Sequence, residues 1–169
     1  IALIVVGIVV TSILTKSGVN IVSKADITEV PQNVKITNIK DASLTISYTT
    51  EVENIASISF GISANLGQTV LDTRDQKTGR LRPHKIHSFT LTNLKPQTKY
   101  FFEIVSGQNT YLNNNSLYEI TTAATFPIEL SKQTPVKGSI VLPDGEKPKE
   151  ALVYLTSQKT QEISSISQD

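Results

Sequence analysis

The sequence predicts an all-β protein built on a two-layer β-sandwich. The run 85–107, KIHSFTLTNLKPQTKYFFEIVSG, contains two stretches in which apolar and polar residues alternate, joined by a turn that includes Pro96. Alternation places every second side chain on one face of a strand, so both stretches present an apolar face to a core. From Pro31 onward, turn residues recur roughly every 8 to 12 positions without a helical period, which is typical of short antiparallel strands.

The turn between these two stretches has a regular spacing. Four residues at alternate positions form this structural corner: Leu94, Pro96, Thr98 and Tyr100. The spacing resembles the connection between strands E and F of fibronectin type III domains, which are immunoglobulin-like sandwiches. The resemblance covers about residues 31–122. It implies a tyrosine corner, in which a buried Tyr100 hydrogen-bonds the backbone just upstream.

The strands before the corner follow from local patterns. The first carries Val34 and Ile36, and a polar turn over 38–41 precedes the second. The second strand should bury one face and expose the other to water. Its inward residues are Leu44, Ile46 and Tyr48, and its outward residues are Thr45, Ser47 and Thr49. The third strand should point Ile58, Phe60 and Ile62 inward, and Gly61 indicates a bulge or a close backbone approach.

The remaining strands of the sandwich are less regular. Residues 65–83 are polar, which indicates an edge strand and an exposed loop rather than core. The charged residues assigned to this exposed region are Asp72, Arg74, Asp75, Lys77, Arg80 and Arg82. A turn-rich loop over 107–116 then leads to a closing strand with Tyr118 and Ile120. We therefore expect a fibronectin type III (immunoglobulin-like) β-sandwich over residues 31–123.

The segment before the sandwich predicts a membrane anchor. Residues 1–15 begin with IALIVVGIVVTSIL, an uncharged aliphatic run that we interpret as a truncated transmembrane signal anchor. The alternative is the apolar part of a cleavable signal peptide with its cut before Asp26, but this site lies far beyond the apolar run. Residues 16–30 lack a sustained period and suit a tether.

The segment after the sandwich predicts a partial second β-domain. Residues 124–134, which contain Pro127, are interpreted as a linker. Residues 135–169 resemble the opening strands of a carboxypeptidase-regulatory-like or Cna B-type prealbumin-like domain. The residues that carry this resemblance are Val136, Gly138, Ile140 and Leu142, the turn Pro143-Asp144-Gly145, and then Ala151, Val153 and Leu155.

Composition excludes several classes of function. The 16 basic and 15 acidic residues give a net charge of +1, which provides no field for binding nucleic acid. Because the chain has no Cys, it forms neither disulfides nor thiolate metal sites. No G-x-S-x-G elbow, S-x-x-K or phosphate-binding glycine loop is present. We therefore expect no catalytic residues and no cofactor.

Two sets of polar residues invite a metal-site interpretation. His84 and His87 are three positions apart, so on a strand they point to opposite faces, which argues against their binding one metal ion. Four acidic residues match no calcium-loop spacing: Glu51, Glu53, Asp72 and Asp75. We expect no cofactor-binding or metal-binding residues, and the corner residues are expected to have a structural role.

These predictions favour a single-pass, membrane-anchored bacterial cell-envelope protein with its β-domains on the cell surface. It would act as an extracellular spacer, adhesion or protein-interaction module and not as an enzyme. Its partners would be the membrane, through residues 1–15, and a protein or cell-wall component.

Two alternatives remain. The string HKIHSFTLTNLKPQTKYFFEIVSG also resembles the N-terminal fibronectin-like domain that precedes the metallophosphoesterase domain of purple acid phosphatases. That resemblance implies a module that positions an enzyme, whose Asp, His and Asn metal ligands would follow downstream. The other alternative is a pilin-like filament subunit with its apolar start in the filament core.

Overall fold

The computed structural model describes residues 27–125, 137–158 and 160–168. The membrane anchor predicted for 1–15, the tether as far as residue 26 and the linker from residue 126 lie outside the described residues. The pilin-like alternative also depends on the first of these segments. Among the residues described, no helix combines the length and the apolar character needed to cross a bilayer.

The described residues form mainly β-strands, which confirms the predicted all-β class. A 3₁₀ turn (Ile27–Glu29) precedes β1 (Gln32–Thr37), β2 (Leu44–Asn54), β3 (Ala56–Gly61) and β4 (Gln68–Leu71). A short helix, α1 (Thr73–Thr78), is followed by β5 (His84–Leu91), β6 (Lys99–Ser106), β7 (Asn109–Tyr111) and β8 (Tyr118–Thr121). A C-terminal hairpin consists of β9 (Glu150–Ser157) and β10 (Thr160–Gln168).

The first eight strands form a two-layer sandwich. One sheet has the order β1-β2-β5, and the other has the order β4-β3-β6. The strands β7 and β8 both pair with β6, β8 along its first half and β7 along its end. All of these pairs are antiparallel. Two antiparallel sheets packed face to face in this order are the architecture of immunoglobulin-like sandwiches.

The core contains the residues that alternation assigned to it. Eight predicted core side chains are at most 5% exposed: Leu44, Ile46, Tyr48, Phe60, Phe89, Leu91, Tyr100 and Phe102. Rings from neighbouring strands stack within this core, with centroids 4.7 Å apart for Tyr48 and His87 and 5.7 Å apart for Tyr48 and Phe89. Such aromatic contacts add to the area burial that stabilises the sandwich.

The third strand is shorter than predicted. Ile62 was expected to point inward, but its side chain is 58% exposed because β3 ends at Gly61. The predicted close approach at Gly61 is confirmed. A Cβ at this position would lie 3.0 Å from the Cα of Leu66, so any larger residue would push the two backbones apart.

The predicted tether is partly folded against the sandwich. Its last residues form the 3₁₀ turn, and the Ser106 hydroxyl donates a 2.8 Å hydrogen bond to the carbonyl of Glu29. The Glu29 carboxylate occupies the space where a Cβ on Gly107 would lie, and Gly107 has a φ of +60°. The folded part of the chain therefore includes residues 27–30.

The corner residues lie at the connection between β5 and β6. Tyr100 is buried, and its hydroxyl accepts a 2.9 Å hydrogen bond from the backbone N–H of Lys95. This bond to the backbone just upstream is the one that defines a tyrosine corner. Leu94 is buried beside it, while the Thr98 hydroxyl donates a 2.8 Å bond to the carbonyl of Pro96.

The C-terminal hairpin folds back onto the outer face of the β1-β2-β5 sheet. The backbone N–H of Asn38 donates a 3.2 Å bond to the carbonyl of Glu162 in β10. The hydroxyls of Thr37 and Ser164 are 2.6 Å apart. The described residues of the sandwich and the hairpin thus form three layers rather than two.

This third layer corrects the prediction that the outer face of β2 meets water. Thr45 and Ser47 point outward as expected, yet both are buried. Ser47 lies under the hairpin, with its hydroxyl 2.9 Å from the Tyr154 hydroxyl of β9. Alternation alone defines which face a side chain takes but not what later packs on that face.

The predicted strand that opens the second β-domain is absent from the described residues. Positions 137–142 have no regular secondary structure. The turn at Pro143-Asp144-Gly145 is present, closed by a 2.9 Å bond from the Gly145 N–H to the Leu142 carbonyl. The apolar residues from Ala151 to Leu155 do form a strand, β9. Assignment of this region to a prealbumin-like domain stays a prediction.

His87 makes the stability of the core dependent on pH. Burial is the main cause that lowers the pKa of its ring from 6.5 to about 4, although the charge of Asp72 acts in the opposite direction. The ring is therefore neutral in the folded protein at pH values where the unfolded chain is protonated. Between pH 6.5 and 4 the unfolded state binds the additional proton, so stability decreases as the pH falls through this window.

We predict that His87→Phe abolishes this pH dependence. In the wild-type protein, the contribution of His87 should lower the free energy of unfolding by about 3 kcal/mol between pH 6.5 and pH 4. Urea denaturation of both proteins across this range measures the effect, and their difference isolates His87 because the carboxylates titrate in both. Parallel curves for the two proteins would contradict the assignment.

We also predict that Tyr100→Phe destabilises the sandwich by about 1–2 kcal/mol, because the Lys95 N–H loses its acceptor in a partly buried corner. Urea denaturation measures the change. Tyr118→Phe is the matched control, since the Tyr118 hydroxyl forms no hydrogen bond with the described residues, and it should change stability by less than about 0.5 kcal/mol. Equal losses in the two variants would exclude a special role for the corner hydroxyl.

Candidate functional site

The charged region between β4 and β5 is folded, and three of its six charged side chains are buried, contrary to the prediction, whereas Lys77, Arg80 and Arg82 are exposed as predicted. Asp72, Arg74 and Asp75 are 1%, 8% and 2% exposed. The edge strand is present as β4, but the residues after it form helix α1. With six residues, α1 is too short to display a helical hydrophobic period in the sequence.

Local capping signals could have revealed this helix. Asp72 caps its N-terminus, where one carboxylate oxygen accepts a 3.0 Å bond from the backbone N–H of Arg74. Gly79 ends it with a φ of 66°, and its N–H donates to the Asp75 carbonyl. An Asp followed seven positions later by a Gly is a recognisable start and stop for a two-turn helix.

The guanidinium of Arg74 joins three parts of the chain. Its Nε and Nη2 bind the two carboxylate oxygens of Asp72 at 2.8 Å and 3.0 Å. Its Nη1 binds Glu150 of the hairpin at 2.7 Å, and Nη2 also donates to the carbonyl of Ile86 in β5. Only the planar fork of an arginine can satisfy a bidentate carboxylate and two further acceptors at once.

The ion pair between Asp72 and Arg74 stays charged despite its burial. Burial raises the pKa of Asp72, but hydrogen bonds from the Arg74 side chain and from the N–H groups of Ser88 and Arg74 outweigh it and hold this pKa below its usual range. Burial likewise lowers the pKa of Arg74, and its two carboxylate partners raise it above its usual value. Both pKa shifts therefore favour the ionised forms of the pair.

His84 lies between two carboxylates at the start of β5. Its Nε2 is 3.3 Å from an Asp75 oxygen, and its Nδ1 is 3.8 Å from an oxygen of Glu150. The ring is 11% exposed, whereas His87 is buried in the core. Within the ranges that the structure describes, no group of three or more His, Asp or Glu is arranged to hold a metal ion.

These residues surround an open cleft of about 470 Å³ between α1, the start of β5 and the start of β9. Seven residues line the cleft: Arg74, Asp75, Thr78, Arg82, His84, Lys149 and Glu150. Of the four acidic residues weighed as a calcium site, Asp72 and Asp75 belong to the network around Arg74. Glu51 and Glu53 lie on the exposed end of β2 and are not part of the cleft lining.

The described contacts of this cleft are ion pairs and hydrogen bonds. The hydroxyl that lines it, on Thr78, donates to the Arg74 carbonyl at 3.1 Å instead of facing a base. The carboxylate of Glu150 accepts a 2.7 Å bond from Arg74, and that of Asp75 faces His84. Such an arrangement can fix the hairpin on the sandwich and bind charged groups, since its charges are held in place by hydrogen bonds.

We predict that Arg74→Leu destabilises the protein by about 3–5 kcal/mol, because it leaves the buried Asp72 carboxylate without its counter-charge. Urea denaturation measures the loss. Lys77→Leu, which removes an exposed cation from the same helix, is the control and should change stability by less than about 0.5 kcal/mol.

Combining Arg74→Leu with Asp72→Leu tests the origin of that loss. The double variant should be more stable than Arg74→Leu alone, because an apolar pair no longer carries an uncompensated charge. Additive losses in this cycle would contradict the interpretation that the two side chains act as a pair.

Solved structures with similar folds include fibronectin type III domains. The sensor domain of the anti-sigma factor RsgI4 from Pseudobacteroides cellulosolvens is 19% identical, with 68% of this chain and 95% of that chain covered and a TM-score of 0.39. A fibronectin type III domain of the human KIAA0970 protein is 11% identical, with 66% and 88% covered and a TM-score of 0.38. The FN5 domain of Drosophila Lar is 16% identical, with 56% and 96% covered and a TM-score of 0.34.

Comparison with protein families gives a more specific result. No curated protein sequence matches the chain at a significant level. Residues 31–122 match the family described as the purple acid phosphatase N-terminal domain, which was the family suggested by the corner string. This match spans more than half of the 169 residues. The chain therefore belongs to the family of purple acid phosphatase N-terminal domains.

Proposed function

We propose that this chain is a non-catalytic module that holds a neighbouring β-module of its own polypeptide in a fixed position. This role deepens the predicted role as a spacer or protein-interaction module. The observation that carries the proposal is the burial of Ser47 and its neighbours on the outer face of the β1-β2-β5 sheet beneath the hairpin. An outer face that packs against a later segment is a docking surface rather than a solvated one.

The contacts of the hairpin are distributed over the whole sheet. Lys35 of β1 pairs with Glu162 at 2.9 Å, and its Nζ lies 4.2 Å from the centroid of the Tyr154 ring. At the opposite edge of the sheet, beside β5, Arg74 binds Glu150. Contacts at several separated points define an orientation, whereas a single contact would leave the hairpin free to pivot.

The character of this interface is polar. Ser164 alone accepts or donates four times: its hydroxyl meets Thr37 and Asn38, its carbonyl accepts from Asn38, and its N–H donates to the Asn38 side-chain oxygen at 3.0 Å. Directional bonds of this kind specify register more than they add affinity, since each contributes about 0.5–1.5 kcal/mol net. Polar contacts are also usual between modules of one chain.

Ser47→Lys tests this docking. The longer charged side chain cannot fit beneath Tyr154, so the hairpin should detach while the sandwich stays folded. Hydrogen exchange should then become faster over residues 150–168 but not in β3 and β6. Ser59→Lys is the matched control, because Ser59 is a half-buried outward residue of the opposite sheet. Unchanged protection of the hairpin in Ser47→Lys would refute the proposal.

A second proposal follows from the family to which the chain belongs. The module would position the metallophosphoesterase domain of a purple-acid-phosphatase-like enzyme, and the catalytic metal ligands would lie in that domain. Membership of the family supports this role. Hydrolysis of p-nitrophenyl phosphate should be absent for the 169-residue chain and present for a polypeptide that continues into such a domain. A longer polypeptide without the Asp, His and Asn ligands would count against it.

We also propose that the β-modules lie outside the cytoplasmic membrane, anchored by residues 1–15. The uncharged aliphatic sequence of that segment and the absence of Cys support this location. In intact cells, an external protease should degrade the modules while the chain fractionates with membranes. Deletion of residues 1–15 should release the chain from the membrane fraction, and retention after deletion would contradict the anchor.

A further inference from the structure

We infer that the cleft between α1, β5 and β9 binds an oxyanion, specifically a phosphate group, through Arg82 and Lys149. This goes beyond the proposed docking role. Both side chains line the cleft, and neither forms a salt bridge or hydrogen bond with the described residues. Two cations at one concave site that pair with none of the described residues are the first observation behind the inference.

The hydrogen-bond partners within the cleft favour an anion over a cation as the ligand. The Glu150 carboxylate is engaged by Arg74 at 2.7 Å, and the Asp75 carboxylate faces His84 at 3.3 Å. Arg82 and Lys149 are therefore the lining cations whose donor groups no described residue engages. Arg and Lys are the side chains that bind phosphate oxygens through charge-assisted hydrogen bonds.

The sequence concentrates cations around this site. Although the whole chain has a net charge of +1, the run GRLRPHK over 79–85 carries three of its 16 basic residues, Arg80, Arg82 and Lys85, and no acidic residue. The run KPK over 147–149 approaches the same cleft from the hairpin side through Lys149. A local excess of positive charge raises the local concentration of anions even when the molecule is nearly neutral.

The two cations belong to different modules. Arg82 precedes β5 of the sandwich, and Lys149 precedes β9 of the hairpin. A phosphate held by both would add a further bridge across the interface that Arg74 and Glu150 already join. Binding should therefore stabilise the docked hairpin in proportion to its affinity for the docked state.

Titration of the 169-residue chain with inorganic phosphate at constant ionic strength tests the site. Isothermal titration calorimetry should show saturable binding that chloride does not reproduce. Arg82→Gln and Lys149→Gln should each weaken binding by about fivefold, and the double variant more than either. Lys40→Gln is the matched control, because Lys40 is an exposed cation beyond the opposite end of the β2–β5 pair, and it should bind like the wild type.

A second arm identifies the source of the phosphate group. Binding of the chain to phosphatidylglycerol vesicles is compared with its binding to phosphatidylcholine vesicles, because the apolar residues 1–15 should contribute equally to binding in both cases. If the wild type binds phosphatidylglycerol vesicles more strongly than phosphatidylcholine vesicles, and the Arg82→Gln/Lys149→Gln variant loses this difference, the ligand is a lipid phosphate. If the chain binds inorganic phosphate but shows no such difference, the ligand is a soluble phosphate. Phosphate binding that the double variant retains, or no specific binding in either arm, would overturn the inference. Arg82 and Lys149 are exposed, so replacing them should leave the hairpin docked. A failure of phosphate binding is therefore distinguishable from a failure of docking, which Ser47→Lys tests.

Discussion

The ion pair between Arg74 and Asp72 is the interaction on which the arrangement of the described parts depends. Asp72 caps α1 and accepts the N–H of Ser88 in β5, while Arg74 reaches Glu150 of the hairpin. One pair of side chains therefore sets the position of the helix, one edge of a sheet and the third layer. A buried pair of this kind gives little net stability, but its loss leaves a charge that water cannot reach.

The apolar core and the polar interface contribute differently to the structure. Closure of the two sheets over residues such as Tyr48, Phe89 and Phe102 provides the area burial that makes the sandwich stable. The third layer is instead held by hydroxyls, amides and ion pairs whose geometry must match. Loss of one such contact therefore has a smaller effect on global stability than loss of a core side chain, but a larger effect on the orientation of the hairpin.

Much of the fold could be predicted from the sequence, but the candidate site could not. Alternation in β2, β5 and β6 is a local property with a period of two, so it identifies the core strands, and the spacing up to Tyr100 identifies the corner. The network around Arg74 joins residues that are 76 positions apart, as in its bond to Glu150, and no local pattern reports such a contact. The same reason explains why Ser47 was expected in water. Charge runs are usually solvated, and here burial also needs partners from other segments, namely Glu150, the carbonyl of Ile86 and the N–H of Ser88.

The route of the chain into the hairpin has a mechanical consequence. The hairpin is attached to the sandwich by polar contacts, whereas the sandwich is closed by interlocked apolar side chains, so tension along the polypeptide would first peel off β9 and β10. Once released, the hairpin would stay joined to the sandwich by residues 126–149, a stretch that spans at most about 80 Å when fully extended. While the hairpin is docked on the outer face, it stays close to the sandwich. After undocking, the two parts could separate by up to the length of this connection before any core strand carried load.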